Sequence, residues 1–178
     1  MKTELLRRAH AFGALLVAAG TCLAAEEPQA AEQKELNRFL GKWKTSYTIL
    51  KSKWTPEELK GEATMNFSRV LGDQFVEEQS KHADGKSNRA MYTYAEEKGS
   101  YRAWWFGSTG LTHEYTGVWD ADKNAFVWQA IRKVDETFTV TSSHEFPSDT
   151  TMNWSVLVKG DDGEILYQAK GTARRGKE

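Results

Sequence analysis

The chain has 178 residues, with 24 Lys and Arg against 25 Asp and Glu and a formal net charge of −1. This length suits one domain, and an aromatic content of 12% is enough to fill its core. The balanced charge, without a basic stripe, argues against binding to nucleic acid, so we expect no nucleic-acid partner.

The first 25 residues have the pattern of a secretory signal peptide. Basic residues precede an apolar run from Ala11 to Ala19, and small residues follow up to Ala25. The run is well short of the roughly 20 residues that span a bilayer, which argues against a membrane anchor. We expect cleavage near Ala25, export to the periplasm or beyond, and no membrane span afterwards. Lipid attachment at Cys22 is a weaker alternative.

Cys22 is the only cysteine, and it would leave with the signal peptide. The exported protein would then enter an oxidising compartment without a thiol, and its core alone would hold the fold. Residues 26–33 are polar and are expected to form a tether. A single domain is expected at 34–178.

A short helix is predicted at the start of this domain. Leu36, Phe39 and Leu40 recur at helical spacing, and Gly41 stands where a helix would end. Turn-forming sequences then recur at nearly regular intervals, at 71–73, 84–85, 98–99, 107–110, 120–124, 134–136, 147–149 and 160–163. Their rhythm predicts about ten short strands in an antiparallel meander. Because closure removes exposed edges, we expect an all-β, up-and-down β-barrel of about ten strands.

Alternation along the strands predicts which side chains point into the barrel. The inward set comprises Trp43, Thr45, Tyr47, Ile49, Ala63, Met65, Phe67, Phe126, Trp128, Ala130, Phe138, Val140, Ser142, His144, Phe146, Met152, Trp154, Val156, Val158, Ile165, Tyr167, Ala169, Gly171 and Ala173. The segment from Asp73 to His82 cannot be assigned, because Glu77 and Glu78 interrupt both of its faces.

The loop KSKWTPEELKG between the first two strands predicts a short helical turn. Thr55 would be the N-cap, with Pro56 at the first helical position and Glu58 three residues after the cap. Trp54 and Leu59 would form a hydrophobic staple. We therefore expect Trp54 to clip this loop rather than to contact a ligand.

The stretch RAWWFGSTGLTHEYTGVWD predicts a hairpin rich in aromatic rings. Alternation places Trp105 inside and its neighbour Trp104 outside, and the opposite phase is the alternative. An external Trp104 is expected to pack within the chain, for instance on the N-terminal helix, or else to mark a protein contact. The inward face of the returning strand is Leu111, His113, Tyr115, Gly117 and Trp119.

The opening FLGKW, with Gly41-Lys42-Trp43 before the first strand, resembles the Gly-x-Trp signature of the calycin superfamily of lipocalin and fatty-acid-binding barrels. RVLGDQFVEEQ at 69–79, GVWDADKNAFVW at 117–128 and GDDGEILYQAKGTARR at 160–175 resemble a bacterial family of exported proteins of unknown function with lipocalin-like folds. The resemblance implies a barrel and carries no established activity. In calycins, an Arg or Lys of the last strand covers the tryptophan of the first, so the resemblance implies that Arg175 covers Trp43 and closes one end.

A barrel of about ten strands leaves room for a ligand, whereas one of about eight fills with side chains. Polar groups among the rings are costly in a dry core and could instead orient a ligand. The predicted ligand-binding residues are Tyr47, Met65, Phe67, Tyr92, Trp105, His113, Tyr115, Trp128, His144 and Trp154. The expected partner is a small apolar molecule, and the alternative is a filled core.

No catalytic residue, metal site or cofactor is predicted. His82, His113 and His144 lack chelating spacing, although His144 is a minor candidate for an axial haem ligand. A serine nucleophile elbow is missing, and the glycine runs are turns rather than phosphate loops.

These observations favour an exported barrel that binds a small molecule without catalysis. Two alternatives stay open. One is a structural or interaction module of the cell envelope whose partner, met through Trp54 and Trp104, is unknown. The other is an enzyme that uses Tyr115, His113 or His144 in the lumen as acid or base.

Overall fold

The computed structural model of the chain describes residues 31–133 and 137–176. The predicted signal peptide and the turn predicted at 134–136 lie outside the described residues. The described chain begins with helix α1 (Ala31–Glu35) and a 3-10 helix (Leu36–Phe39). The strands are β1 (Gly41–Leu50), β2 (Leu59–Val70), β3 (Phe75–His82), β4 (Ser87–Ala95), β5 (Ser100–Gly107), β6 (Thr112–Asp120), β7 (Ala125–Lys133), β8 (Thr137–Ser148), β9 (Thr151–Gly160) and β10 (Ile165–Arg175).

The ten strands form one closed antiparallel barrel. Each strand pairs with its neighbours in sequence, and β1 pairs with β10 from Trp43↔Arg175 to Leu50↔Gln168. Among the ten described strands, none therefore has an unpaired edge that a second chain could extend. The all-β, up-and-down barrel predicted from the sequence is confirmed.

The turns explain why the strands end where they do. Gly85 and Gly163 have φ angles of 85° and 83°, which glycine adopts without strain from a side chain. In an up-and-down barrel, successive turns lie at alternate ends. The β1–β2, β3–β4, β5–β6 and β9–β10 connections therefore share one end, and the N-terminal helices lie at the other.

Strand β3, which the sequence left unassigned, has a clear inward face. Val76, Glu78 and Ser80 are buried, and Glu77 lies on the outer face. The pairing of Glu78 with inward-facing Phe67 on β2 sets this phase, because directly paired residues share a face of the sheet. A carboxylate therefore points into the barrel.

The helical turn predicted in the β1–β2 loop is wrong. Ser52 and Thr55 form an isolated β-bridge instead, and the backbone N–H of Trp54 donates to the carbonyl of Leu166 at 2.9 Å. The ring of Trp54 meets Phe138 edge-on at 5.4 Å. Since β10 offers the loop an acceptor in the completed barrel, the local capping signals do not decide its conformation.

The inward assignment of Ile165 is also wrong. Ile165 is 42% exposed, whereas Leu166 is 2% exposed and packs in the core. The register between β10 and β9 shifts between Ile165 and Tyr167, and such an extra residue reverses the alternation locally.

The phase of the tryptophan pair is decided by the pairing of β5 with its neighbours. Trp105 lies inside the barrel, opposite Ala90 on β4 and His113 on β6. Trp104 lies outside, where it contacts Phe75 and the guanidinium of Arg102 rather than the N-terminal helix. Trp104 thus packs within the chain.

Candidate functional site: the barrel lumen

One end of the barrel is closed by the ring of Phe39. This side chain is fully buried at the end of the 3-10 helix. Five rings surround it at centroid distances of 5.2 to 5.3 Å, namely Phe67, Tyr92, Phe126, His144 and Phe146. The helical segment therefore serves as a plug and forms the floor of the lumen.

Arg175 and Trp43 hold this plug in place. The indole N–H of Trp43 donates to the carbonyl of Phe39 at 2.7 Å. The guanidinium of Arg175 lies 4.4 Å from the centroid of the Trp43 ring and donates to the carbonyls of Arg38 and Leu40. This is the closure that the calycin resemblance implies, extended by hydrogen bonds to the plug itself.

Above the floor lies a cavity of about 660 Å³. It extends to the opposite end of the barrel, where Trp54 of the β1–β2 loop and Leu111 of the β5–β6 turn contribute to its lining. Such a volume is in the range of small-molecule sites, which are mostly apolar with a few polar groups. The lumen is therefore not filled by its own side chains.

Nine of the ten predicted ligand-binding residues line this cavity: Tyr47, Met65, Tyr92, Trp105, His113, Tyr115, Trp128, His144 and Trp154. Phe67 does not, because its ring is packed against Phe39 and Tyr92 in the floor. Trp54, expected to serve only its loop, lines the cavity. Whether any of these residues binds a ligand stays a prediction.

The Glu78 side chain is the centre of a polar cluster on one wall. It is 7% exposed and accepts hydrogen bonds from Tyr92 Oη at 2.7 Å, Ser80 Oγ at 2.5 Å and Asn88 Nδ2 at 3.1 Å. All four residues line the cavity. Because both carboxylate oxygens accept, the arrangement suits the ionised form of Glu78.

A chain of hydrogen bonds leads from the barrel wall to this cluster. Asn88 donates to Glu78 through its amide nitrogen, so its Oδ1, 2.9 Å from His82 Nε2, is the acceptor of that contact. His82 Nδ1 then accepts from the hydroxyl of Tyr47 at 3.1 Å. In this series of hydrogen bonds, each donor is directed toward Glu78.

The phenols around the cavity keep their protons at neutral pH. Burial, together with the nearby Glu78 carboxylate, raises the pKa of Tyr92 well above its usual value. Burial also raises the pKa of Tyr115 to about 12. Both hydroxyls can therefore donate a hydrogen bond.

His144 is a neutral group at the bottom of the lumen. Burial lowers its pKa to about 4, and the indole N–H of Trp128 donates to its Nδ1 at 3.1 Å. In the neutral ring the proton therefore lies on Nε2. That tautomer does not suit coordination of a haem iron through Nε2. Within 31–133 and 137–176, no group of three or more His, Cys, Asp and Glu is placed to hold a metal ion.

Two glycines allow tryptophan rings to lie flat on the barrel wall. A Cβ at Gly117 would lie 2.3 Å from Cε3 of Trp128, and one at Gly171 would lie 2.7 Å from Cε2 of Trp154. The two rings occupy the space that side chains would take at these positions. The Trp154 ring is also fixed by a hydrogen bond of 2.9 Å from its N–H to Thr45 Oγ1.

With this geometry established, comparisons with known proteins identify the chain's family. The model of the family described as "Protein of unknown function (DUF1579)" matches residues 27–175. The chain belongs to this family. Membership bears out the resemblance seen in the sequence and brings no activity with it, and a search of the curated proteins finds no match.

Solved structures with the same architecture support the barrel assignment. The chain is similar to Rv2717c from M. tuberculosis, with 12% identity, a TM-score of 0.63, and coverage of 84% of this chain and 100% of that one. It is also similar to the S-type phycobiliprotein lyase CPES from Guillardia theta, with 14% identity, a TM-score of 0.56, and coverage of 85% and 99%. At these identities the likeness shows the fold alone. Along the described parts of this family member, no helix is long and apolar enough to cross a bilayer.

Sequence reasoning missed the polar cluster, because it centres on the unassigned strand β3. One signal was available. The turn at 71–74 joins β2 to β3, and counting back from it pairs Phe67 with Glu78 and places Glu78 inside. The alternation of β3 alone could not show this, because a glutamate at an inward position interrupts the apolar face that the pattern is expected to have.

Proposed function

We propose that the barrel binds a small, largely apolar molecule with at least one polar group in its lumen, without catalysis. The observation that carries this proposal is the cavity of about 660 Å³ beneath Trp54 and Leu111, enclosed by rings and closed at its floor by Phe39. An apolar volume of this size that the side chains of a closed barrel leave unfilled has no structural purpose of its own, since packing it with side chains would stabilise the fold.

The two sides of the cavity differ in chemistry, which supports a ligand of mixed character. The side formed by β3 and β4 carries the hydrogen-bonded cluster around Glu78. The side formed by β8 and β9 carries Val140, Val156 and Val158, which belong to an apolar cluster. A ligand would lie with its apolar body on the valines and its polar group toward Glu78.

We further propose that the protein works in the periplasm or outside the cell. The support is the N-terminal pattern of basic, apolar and small residues that ends at Ala25. The mass of the protein isolated from its own organism tests this. Loss of the first 25 residues is expected, and an intact N-terminus in the cytoplasmic fraction would contradict it.

Ligand binding is tested by native mass spectrometry of protein purified from its own compartment, and by quenching of tryptophan fluorescence with a panel of apolar probes. Ala63→Phe fills the lumen, because Ala63 lines the cavity on β2. Thr64→Phe is the matched control, since the neighbouring residue is exposed on the outer face. Binding should be lost in Ala63→Phe and kept in Thr64→Phe. Equal binding by both variants, or no bound mass and no quenching in the wild type, would refute lumenal binding.

A further inference from the structure

A carboxylate side chain is part of the lining of the lumen. Among the described residues that line the cavity there is one glutamate, Glu78, and neither Lys nor Arg. The partners of its carboxylate are the neutral donors of Tyr92, Ser80 and Asn88. The carboxylate therefore lies among neutral donors, with no lysine or arginine among the described residues of the lining.

We propose that the lumen selects a cationic amphiphile, a molecule with a protonated amine group on an apolar body, and that Glu78 is the residue that binds the amine. This inference rests on the proposed function and adds the charge of the ligand to it. Three hydrogen bonds hold the carboxylate in one position, so it is already oriented when a ligand enters. Burial strengthens the attraction between the carboxylate and an ammonium group, because the surrounding dielectric constant is low.

The rings around Glu78 suit the same group. Tyr92 lines the cavity beside it, and Trp105 lies one strand further, paired with Ala90, which in turn pairs with Glu78. Faces of aromatic rings attract ammonium groups, most strongly where water is excluded. An anionic head group would meet the Glu78 charge with no lysine or arginine in the described lining to offset it, so the same geometry disfavours fatty-acid-like ligands.

The test compares three probes that share one apolar chain: dodecylamine, dodecanol and dodecanoate, each below the concentration at which it forms micelles. Affinity is measured by tryptophan quenching at neutral pH. We expect the amine to bind about ten- to a hundredfold more tightly than the alcohol, the range of a hydrogen bond to a charged group, and dodecanoate to bind most weakly.

Two variants separate the lumenal charge from the overall charge of the protein. Glu78→Gln removes the carboxylate in the cavity and should bring the amine-to-alcohol ratio close to one. Glu77→Gln removes the same charge from the next position of β3, which faces outward toward Arg89 and Gln79, and should leave the ratio unchanged. Circular dichroism establishes that each variant is folded.

The outcomes separate this proposal from the function on which it rests. If all three probes bind equally, or dodecanoate binds best, the cationic ligand is refuted while lumenal binding stands. If no probe binds, or if Ala63→Phe binds all three as well as the wild type does, both proposals fail. If Glu78→Gln does not fold, the affinities of the wild-type protein for the three probes provide the test. An amine that binds no better than the alcohol then contradicts the role of Glu78.

Discussion

The guanidinium of Arg175 lies over the ring of Trp43, 4.4 Å from its centroid, and joins the last strand to the first. The same guanidinium donates to backbone carbonyls of the plug, at Arg38 and Leu40, and to that of Asp149 in the β8–β9 turn. One side chain thus connects the barrel seam, the helical plug and a turn at the closed end. Removing it should affect all three together.

We expect Arg175→Ala to lower the free energy of unfolding by about 2–3 kcal/mol, because both the contact with the ring and the charged hydrogen bonds are lost. Arg174→Ala is the control, since Arg174 carries the same charge on the exposed face and bonds to Thr151 instead. Its effect should be about 1 kcal/mol or less. Urea denaturation measures both. Equal losses would show that Arg175 does not clamp the closed end.

The plug should be as important for stability as any core residue. Phe39→Ala removes a fully buried ring that touches five others, and we expect a loss of about 3–5 kcal/mol in the free energy of unfolding. Val118→Ala, at a position that is 57% exposed on β6, should change it by about 0.5 kcal/mol or less. A Phe39→Ala protein as stable as Val118→Ala would mean that the barrel closes without its plug.

The stability of the protein should depend on pH through His144. Its pKa is lowered to about 4 in the folded state by burial, whereas an unfolded histidine titrates near pH 6.5. Between these values the unfolded chain binds more protons, so the free energy of unfolding falls as the pH drops from about 6.5 to about 4, by up to roughly 3 kcal/mol.

The variant His144→Gln should remove this contribution, while its amide can still accept from the indole N–H of Trp128. Urea denaturation of both proteins across this pH range measures the difference. Above about pH 7.5 the two profiles should run parallel, because the histidine is neutral in both states there. If the difference between them stays constant down to pH 4, His144 does not titrate as a buried group.

How far the sequence could predict the site depended on how regular each strand is. Trp128 and Trp154 stand in strands of clean alternation, and both line the cavity as predicted from the pattern. On β10, a register shift places Leu166 in the core and exposes Ile165. A bulge of this kind depends on the partner strand and leaves no mark in the alternation itself.

The loop that contains Trp54 is a second place where the local sequence does not predict the structure. Its capping signals are those of a helical turn, but a carbonyl of β10 accepts the Trp54 N–H in the assembled barrel. Local propensity is a weak preference that a tertiary hydrogen bond can override. Trp54 thereby comes to lie against Phe138 and to line the cavity.

The sequence by itself determined the barrel and most of its lining, because the turn residues set the length of each strand and alternation sets its inward face. Only the tertiary structure decided that Phe39 closes the lumen, that a cavity remains above it, and which donors surround the carboxylate of Glu78. These features arise where distant strands meet, and a strand's own pattern contains no information about the side chains that will face it across the barrel. The register between strands fixes those neighbours, and it is established only when the sheet closes.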